Sequence, residues 1–118
     1  MCPCCGFEGL KGSAYESLPA DTIVRGGEPP YSVFLGMPSY EVCPCCGYEF
    51  GFDDEPGTSE PQSFEQYLAD WTRKGCKWFD ENNKPIGWSI ENQIKGCRIL
   101  NLAVAFQNPI VDFPNLAS

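Results

Sequence analysis

The sequence predicts an α+β fold, with a small antiparallel β portion followed by C-terminal helices. Three observations on the 118-residue chain carry this. A cysteine-built heptapeptide occurs twice in the first half. Short β-rich stretches flank both copies. The second half holds two segments of helical periodicity that each begin at a serine. The expected organisation is a β portion over residues 1–60 and a helical portion over 61–118 packed on it, forming a single compact domain.

The elements follow in order. "CPCCGFE" (2–8) is a tight turn leading into a short strand, and "TIVR" (22–25) is a further strand candidate. "YSVFLG" (31–36) is β-rich, and "SYEV" (39–42) runs into the second turn, "CPCCGYE" (43–49). "YEFGF" (48–52) alternates as a returning strand would, which puts Tyr48, Phe50 and Phe52 on one face. "DDEPGTSEPQ" (53–62) reads as a solvated polar breaker. Its acids Asp53, Asp54 and Glu55 lack the alternating spacing of a calcium loop, so an enzyme built on them with a hard metal is a distant alternative. Ser63 and Gln66 fit a capping box, Phe64, Tyr67, Leu68 and Trp71 recur at helical spacing, and Gly75 is the stop. A turn is expected at Asn82–Asn83. Ser89 caps a second helix with Ile90, Ile94 and Cys97 on one face. Residues 98–106 fit helix and strand equally, and the tail after Pro109 is expected to be extended.

The two heptapeptides differ only where Phe7 is replaced by Tyr48, and they take six of the eight cysteines. Tetrahedral sulfur coordination of a divalent ion needs four thiolates, usually as two pairs. C-x-x-C spacing lets one tight turn offer two sulfurs to one ion. Proline at the second position presets φ, and glycine after the last cysteine permits a left-handed backbone that turns N–H groups toward sulfur. Cys2 with Cys5, and Cys43 with Cys46, therefore make one four-sulfur site. It holds a single structural Zn2+, with Fe as the alternative. The β portion thus carries two zinc knuckles with a long insertion between them. Cys4 and Cys45 are left as bystanders, either packing groups or free thiols, with a redox role less favoured. Cys76 and Cys97 are expected in the core. The zinc-deaminase pattern fails, because Pro44–Cys45 is followed three residues on by Tyr48 rather than cysteine.

Composition narrows the function. Histidine is absent, which removes Cys–His and Ser–His–Asp catalysis and every imidazole-dependent metal site. No run of apolar residues is long enough to span a membrane, and the N-terminus lacks the pattern of a secretory signal. A cytoplasmic location is therefore expected, where thiols stay reduced and clustered cysteines bind metal. Residues 1–70 contain twelve acids and only Lys11 and Arg25 as bases, a charge of −10, whereas residues 71–118 sum to +2. The acidic half should repel nucleic-acid phosphates and meet a protein partner with a basic surface.

The segments "CPCCGFE", "YEVCPCCGYEFGFDDE" and "SFEQYLADWTRKGCKWF" together resemble the bacterial cysteine-rich CPCC family and similar small zinc-ribbon proteins, over roughly residues 1–88. The resemblance implies a zinc-ribbon-like β portion with an attached helix. Some members of that family resemble components of bacterial toxin–immunity loci, which implies a protein-binding role of immunity or inhibitor type. The knuckle pair is also similar to that of rubredoxin, where such turns hold iron for electron transfer. The chain departs from rubredoxin in its long insertion, the extra thiol in each knuckle and the large helical half. A closed four-sulfur site leaves no open coordination position for hydrolysis. The expected function is a non-enzymatic, zinc-stabilised protein-interaction module, the alternative being a rubredoxin-like iron electron carrier.

Overall fold

A computed structural model describes residues 1–57 and 59–105 of the chain. The order is β1 (Thr22–Arg25), α1 (Ser32–Leu35), α2 (Phe64–Arg73), a 3-10 turn (Glu81–Asn83), α3 (Ile90–Ile94), β2 (Arg98–Asn101) and α4 (Leu102–Ala105). Among the described residues no helix is long and apolar enough to cross a membrane.

The helix starts follow the sequence closely. The Ser63 hydroxyl accepts the Gln66 N–H at 3.1 Å and opens α2. Ser89 accepts the Asn92 N–H at 3.2 Å and opens α3. Each cap satisfies one of the N–H groups that a helix start leaves without an internal partner. Along α2, Phe64 and Trp71 are buried while Tyr67 and Leu68 are partly so, which is the expected apolar stripe. Gly75 follows the helix at φ +103°, a conformation that stops it. Asp80 caps the short 3-10 turn over Glu81–Asn83 by accepting the Asn82 N–H.

The β portion differs from expectation. β1 forms at "TIVR" as read, but its partner is β2, and the pair is parallel, with Ile23 opposite Ile99 and Val24 opposite Leu100. Parallel strands need a crossover connection, and here the whole stretch between Arg25 and Arg98 supplies it. The strand pair thus joins the first half of the chain to the second. The antiparallel pairing expected around the second cysteine turn shrinks to isolated bridges, Tyr15 with Pro38 and Val42 with Glu49. It cannot extend because the chain turns at once: Phe52 and Asp53 donate their N–H groups to the Glu49 carbonyl at 3.1 and 2.9 Å. Phe52 leaves the face shared by Tyr48 and Phe50 and is 52% exposed.

Within residues 31–36, β-rich in composition, Ser32–Leu35 form the single helical turn of α1. The i, i+4 pair Tyr31 and Leu35 is buried and Val33 is exposed, so helical spacing overrides β propensity here. Residues 98–101 are strand and 102–105 helix, so the undecided segment is both. Phe106 and the tail after Pro109 lie outside the described residues.

The core is aromatic. Tyr31 stacks on Phe64 with centroids 4.0 Å apart, Tyr48 tilts against Phe64 at 4.9 Å, and Tyr15 meets Phe50 edge-on at 5.9 Å. Such pairs contribute about 0.5–1.5 kcal/mol each beyond their buried area. A second aromatic group joins Phe7, Trp78, Trp88 and Trp71 through edge-to-face contacts of 5.3–6.0 Å. All six heptapeptide cysteines belong to the same buried cluster as the tyrosines.

Candidate metal centre

The two heptapeptides fold as two copies of one turn. In the first, the Cys2 N–H donates to the Phe7 carbonyl at 2.7 Å and the Gly6 N–H to the Cys2 carbonyl at 2.9 Å. In the second, the Cys43 N–H donates to the Tyr48 carbonyl and the Gly47 N–H to the Cys43 carbonyl, both at 2.9 Å. Gly6 and Gly47 adopt matching left-handed φ values of 86° and 85°. A side chain would be strained at either position, which is the backbone reason for glycine there.

The turns face each other and bring Cys2, Cys5, Cys43 and Cys46 together, with all four sulfurs within 4.8 Å of one another. The Cys2 and Cys46 sulfurs are 3.9 Å apart, and those of Cys5 and Cys43 are 3.7 Å apart. A zinc–sulfur bond of about 2.3 Å in a regular tetrahedron implies sulfur–sulfur edges of about 3.8 Å. The pairs match that edge and are far beyond the roughly 2.05 Å of a disulfide. This four-cysteine group can hold a metal ion.

Its electrostatics point the same way. Burial pushes the Cys2 and Cys5 thiols above the ordinary cysteine value. Cys46 is raised too, first by its hydrogen bond with Cys2. Cys43 is held far below that value, first by the hydrogen bond from Cys2 and then by those from Cys46 and Cys5. Four thiolates at this spacing require a positive charge among them.

The carbonyls of each turn are satisfied from outside it, in parallel fashion. In the first turn Pro3 accepts the Val24 N–H at 2.9 Å, Cys4 accepts Arg25 Nη2 at 3.0 Å and Cys5 accepts Gln93 Nε2 at 3.0 Å. In the second, Pro44 accepts the Asp80 N–H at 2.8 Å, Cys45 the Phe79 N–H at 3.0 Å and Cys46 the Tyr67 hydroxyl at 3.0 Å. Each knuckle thus has three carbonyls fixed from outside it, the first by Val24, Arg25 and Gln93 and the second by Tyr67, Phe79 and Asp80. Outer partners of this kind orient a ligand set before any ion arrives. Arg25, Tyr67 and Gln93 were not legible as site residues. Gln93 carries no motif, and it is itself held by the Trp88 indole, which donates to Gln93 Oε1 at 2.9 Å.

The middle thiols lie beside the four-sulfur group, where Cys4 helps raise Cys46 and Cys45 helps raise Cys5, but their other contacts lie outside it. Cys4 Sγ donates to the Phe64 carbonyl at 3.5 Å, and Cys45 Sγ accepts Gln93 Nε2 at 3.5 Å. Both are fully buried packing groups. Cys76 and Cys97 are only partly buried, so the expectation of two core cysteines is not met. Cys97 donates to the Gln93 carbonyl, and burial raises its thiol.

The acidic segment is corrected in one residue. Asp54 is 1% exposed rather than solvated. Its Oδ2 accepts the Tyr15 hydroxyl at 2.8 Å and the Tyr31 N–H at 3.1 Å, and its Oδ1 accepts the Gly51 N–H at 2.8 Å. The carboxylate is a core acceptor with three donors, not a ligand for a hard cation.

No family model, curated protein or solved structure matches the chain.

Proposed function

We propose that this chain is a non-enzymatic, zinc-stabilised protein-interaction module of immunity or inhibitor type, acting on a partner with a basic surface. The observation that carries the reading is the closed, buried four-cysteine group. Each of its residues is 3% exposed or less, and its sulfur spacing suits a tetrahedral ion. Such a site takes four protein ligands, keeps no position for substrate, and serves to hold the fold. In small zinc modules this is worth about 10–16 kcal/mol of apparent binding energy, comparable to the stability of a whole domain. Softness of the ligands favours zinc or iron over hard cations. The acidic first half, with a charge of −10 over residues 1–70, selects the partner's sign.

Iron in the same four sulfurs would make a rubredoxin-like electron carrier. Metal analysis of the purified chain separates the two. One zinc per chain in a colourless protein supports the interaction module. A coloured iron form that cycles reversibly between oxidation states overturns it.

A further inference from the structure

Four of the large hydrophobic side chains that stand in solvent fall between residues 33 and 52, and two of these, Tyr40 and Phe52, lie at Gly51: the Tyr40 ring reaches its backbone and Phe52 follows it in the chain. They are 61% and 52% exposed. The space a Gly51 Cβ would take lies 2.6 Å from Pro38 Cγ and 2.7 Å from Tyr40 Cε1. Glycine therefore lets the exposed ring lie against the main chain. The backbone under it is fixed. The Met37 carbonyl accepts the Glu16 N–H at 2.9 Å, the Ser39 N–H donates to Ala14 at 2.8 Å and the Glu41 carbonyl accepts the Phe50 N–H at 3.1 Å. Tyr40 is held at φ +62°, a left-handed conformation uncommon for an aromatic residue.

Charge decides what such a face accepts. Glu41 follows Tyr40, Glu49 lies across the bridge from Val42, and Asp53 follows Phe52 and accepts the Glu49 N–H at 2.7 Å. No Lys or Arg occurs between Arg25 and Arg73, and the base beside this rim is Lys11, whose backbone N–H donates to Glu41 Oε2 at 3.1 Å. An acidic rim repels nucleic acid and anionic lipid, and it repels a second copy of the same face. It attracts a basic chain, while fixed aromatic anchors cost little entropy to bury.

We propose that this face, with Tyr40 and Phe52 as anchors and Glu41, Glu49 and Asp53 as rim, docks a basic protein segment that carries apolar side chains between its cations. The inference rests on the interaction-module reading and names the surface that performs it.

The test is an NMR titration of the full metal-loaded chain. The probe is a capped synthetic peptide alternating arginine with leucine and carrying one tryptophan, compared with its glutamate-for-arginine counterpart. Amide shifts should concentrate in residues 37–41 and 49–53 with the arginine peptide and be absent with the glutamate one. Tyr40→Ser with Phe52→Ser should weaken binding about tenfold or more, with the remaining spectrum unchanged. Glu49→Gln should weaken it at low salt and lose that effect at high salt. Shifts centred elsewhere, or undiminished affinity in the double variant, overturn the docking face while leaving a basic partner in place. Preference for the glutamate peptide overturns the basic-partner reading as well. Absence of shifts with both peptides, or self-association through residues 37–53, also overturns the proposal.

Discussion

The hydroxyl of Tyr15 donates to Oδ2 of Asp54 at 2.8 Å across the aromatic core, with both residues buried. Tyr31 and Gly51 complete the coordination of that carboxylate through their N–H groups. Replacing Asp54 by alanine strands the Tyr15 hydroxyl and the Tyr31 N–H in a region that water does not reach. The expected loss is about 3 kcal/mol of folding stability, since each stranded group costs about 1–3 kcal/mol. Glu55→Ala, at an exposed position, should stay within about 0.5 kcal/mol. Urea denaturation of both variants checks this, and equal losses would mean that Asp54 holds nothing.

Alkaline pH should unfold the chain cooperatively. Burial, as the largest cause, raises the phenols of Tyr15, Tyr48 and Tyr67, and it pushes Tyr31 up to about 12. A phenol raised in the folded state binds its proton more tightly there than in the unfolded chain. Its stabilising contribution is therefore complete below the ordinary value of about 10 and is lost as pH rises through the folded value. Phenolate absorbance should rise together with loss of the near-ultraviolet circular dichroism. Ionisation of these four tyrosines with the dichroism intact would contradict the packing described.

Serine replacements should separate the six knuckle thiols into two classes. Cys2, Cys5, Cys43 and Cys46 share the sulfur cluster, and each serine there replaces a soft thiolate with a poor ligand, so tight zinc binding should be lost. Cys4→Ser and Cys45→Ser should keep zinc and lose only local packing, because those sulfurs contact the Phe64 carbonyl and Gln93. Bound zinc and melting temperature in the six variants give the answer. Zinc loss at Cys4 or Cys45 with retention at Cys5 or Cys46 would overturn the ligand assignment.

Chelation should be felt well beyond the knuckles. The N–H groups of Phe79 and Asp80 are fixed on the second knuckle, and that of Val24 on the first. If the metal sets both turns, hydrogen exchange at these three amides should accelerate when a strong chelator removes it. Unchanged protection there after verified metal loss would show that the turns stand without an ion.

These local features were legible to different degrees. The cysteine group was readable because a tight turn is a short-range device: proline, glycine and the two-residue gap fix the sulfurs within seven residues. The caps at Ser63 and Ser89 were readable for the same reason. The parallel partner of β1 was not, because pairing of Ile23 with Ile99 depends on the path of the chain between them and leaves no mark in either strand. Asp54 was read as solvated because it stands in the polar breaker run 53–62, and nothing local announces that Tyr15 will meet it. Tyr31 and Leu35 carried a helical signal that β-rich composition masked.

The most direct test of the central claim is sulfur-coordination counting by X-ray absorption at the zinc edge, paired with native mass spectrometry of the intact chain. One zinc per chain with four sulfur neighbours at about 2.3 Å is the expected result. Fewer than four sulfurs, a nitrogen or oxygen neighbour in the first shell, or a chain that binds no zinc would contradict it.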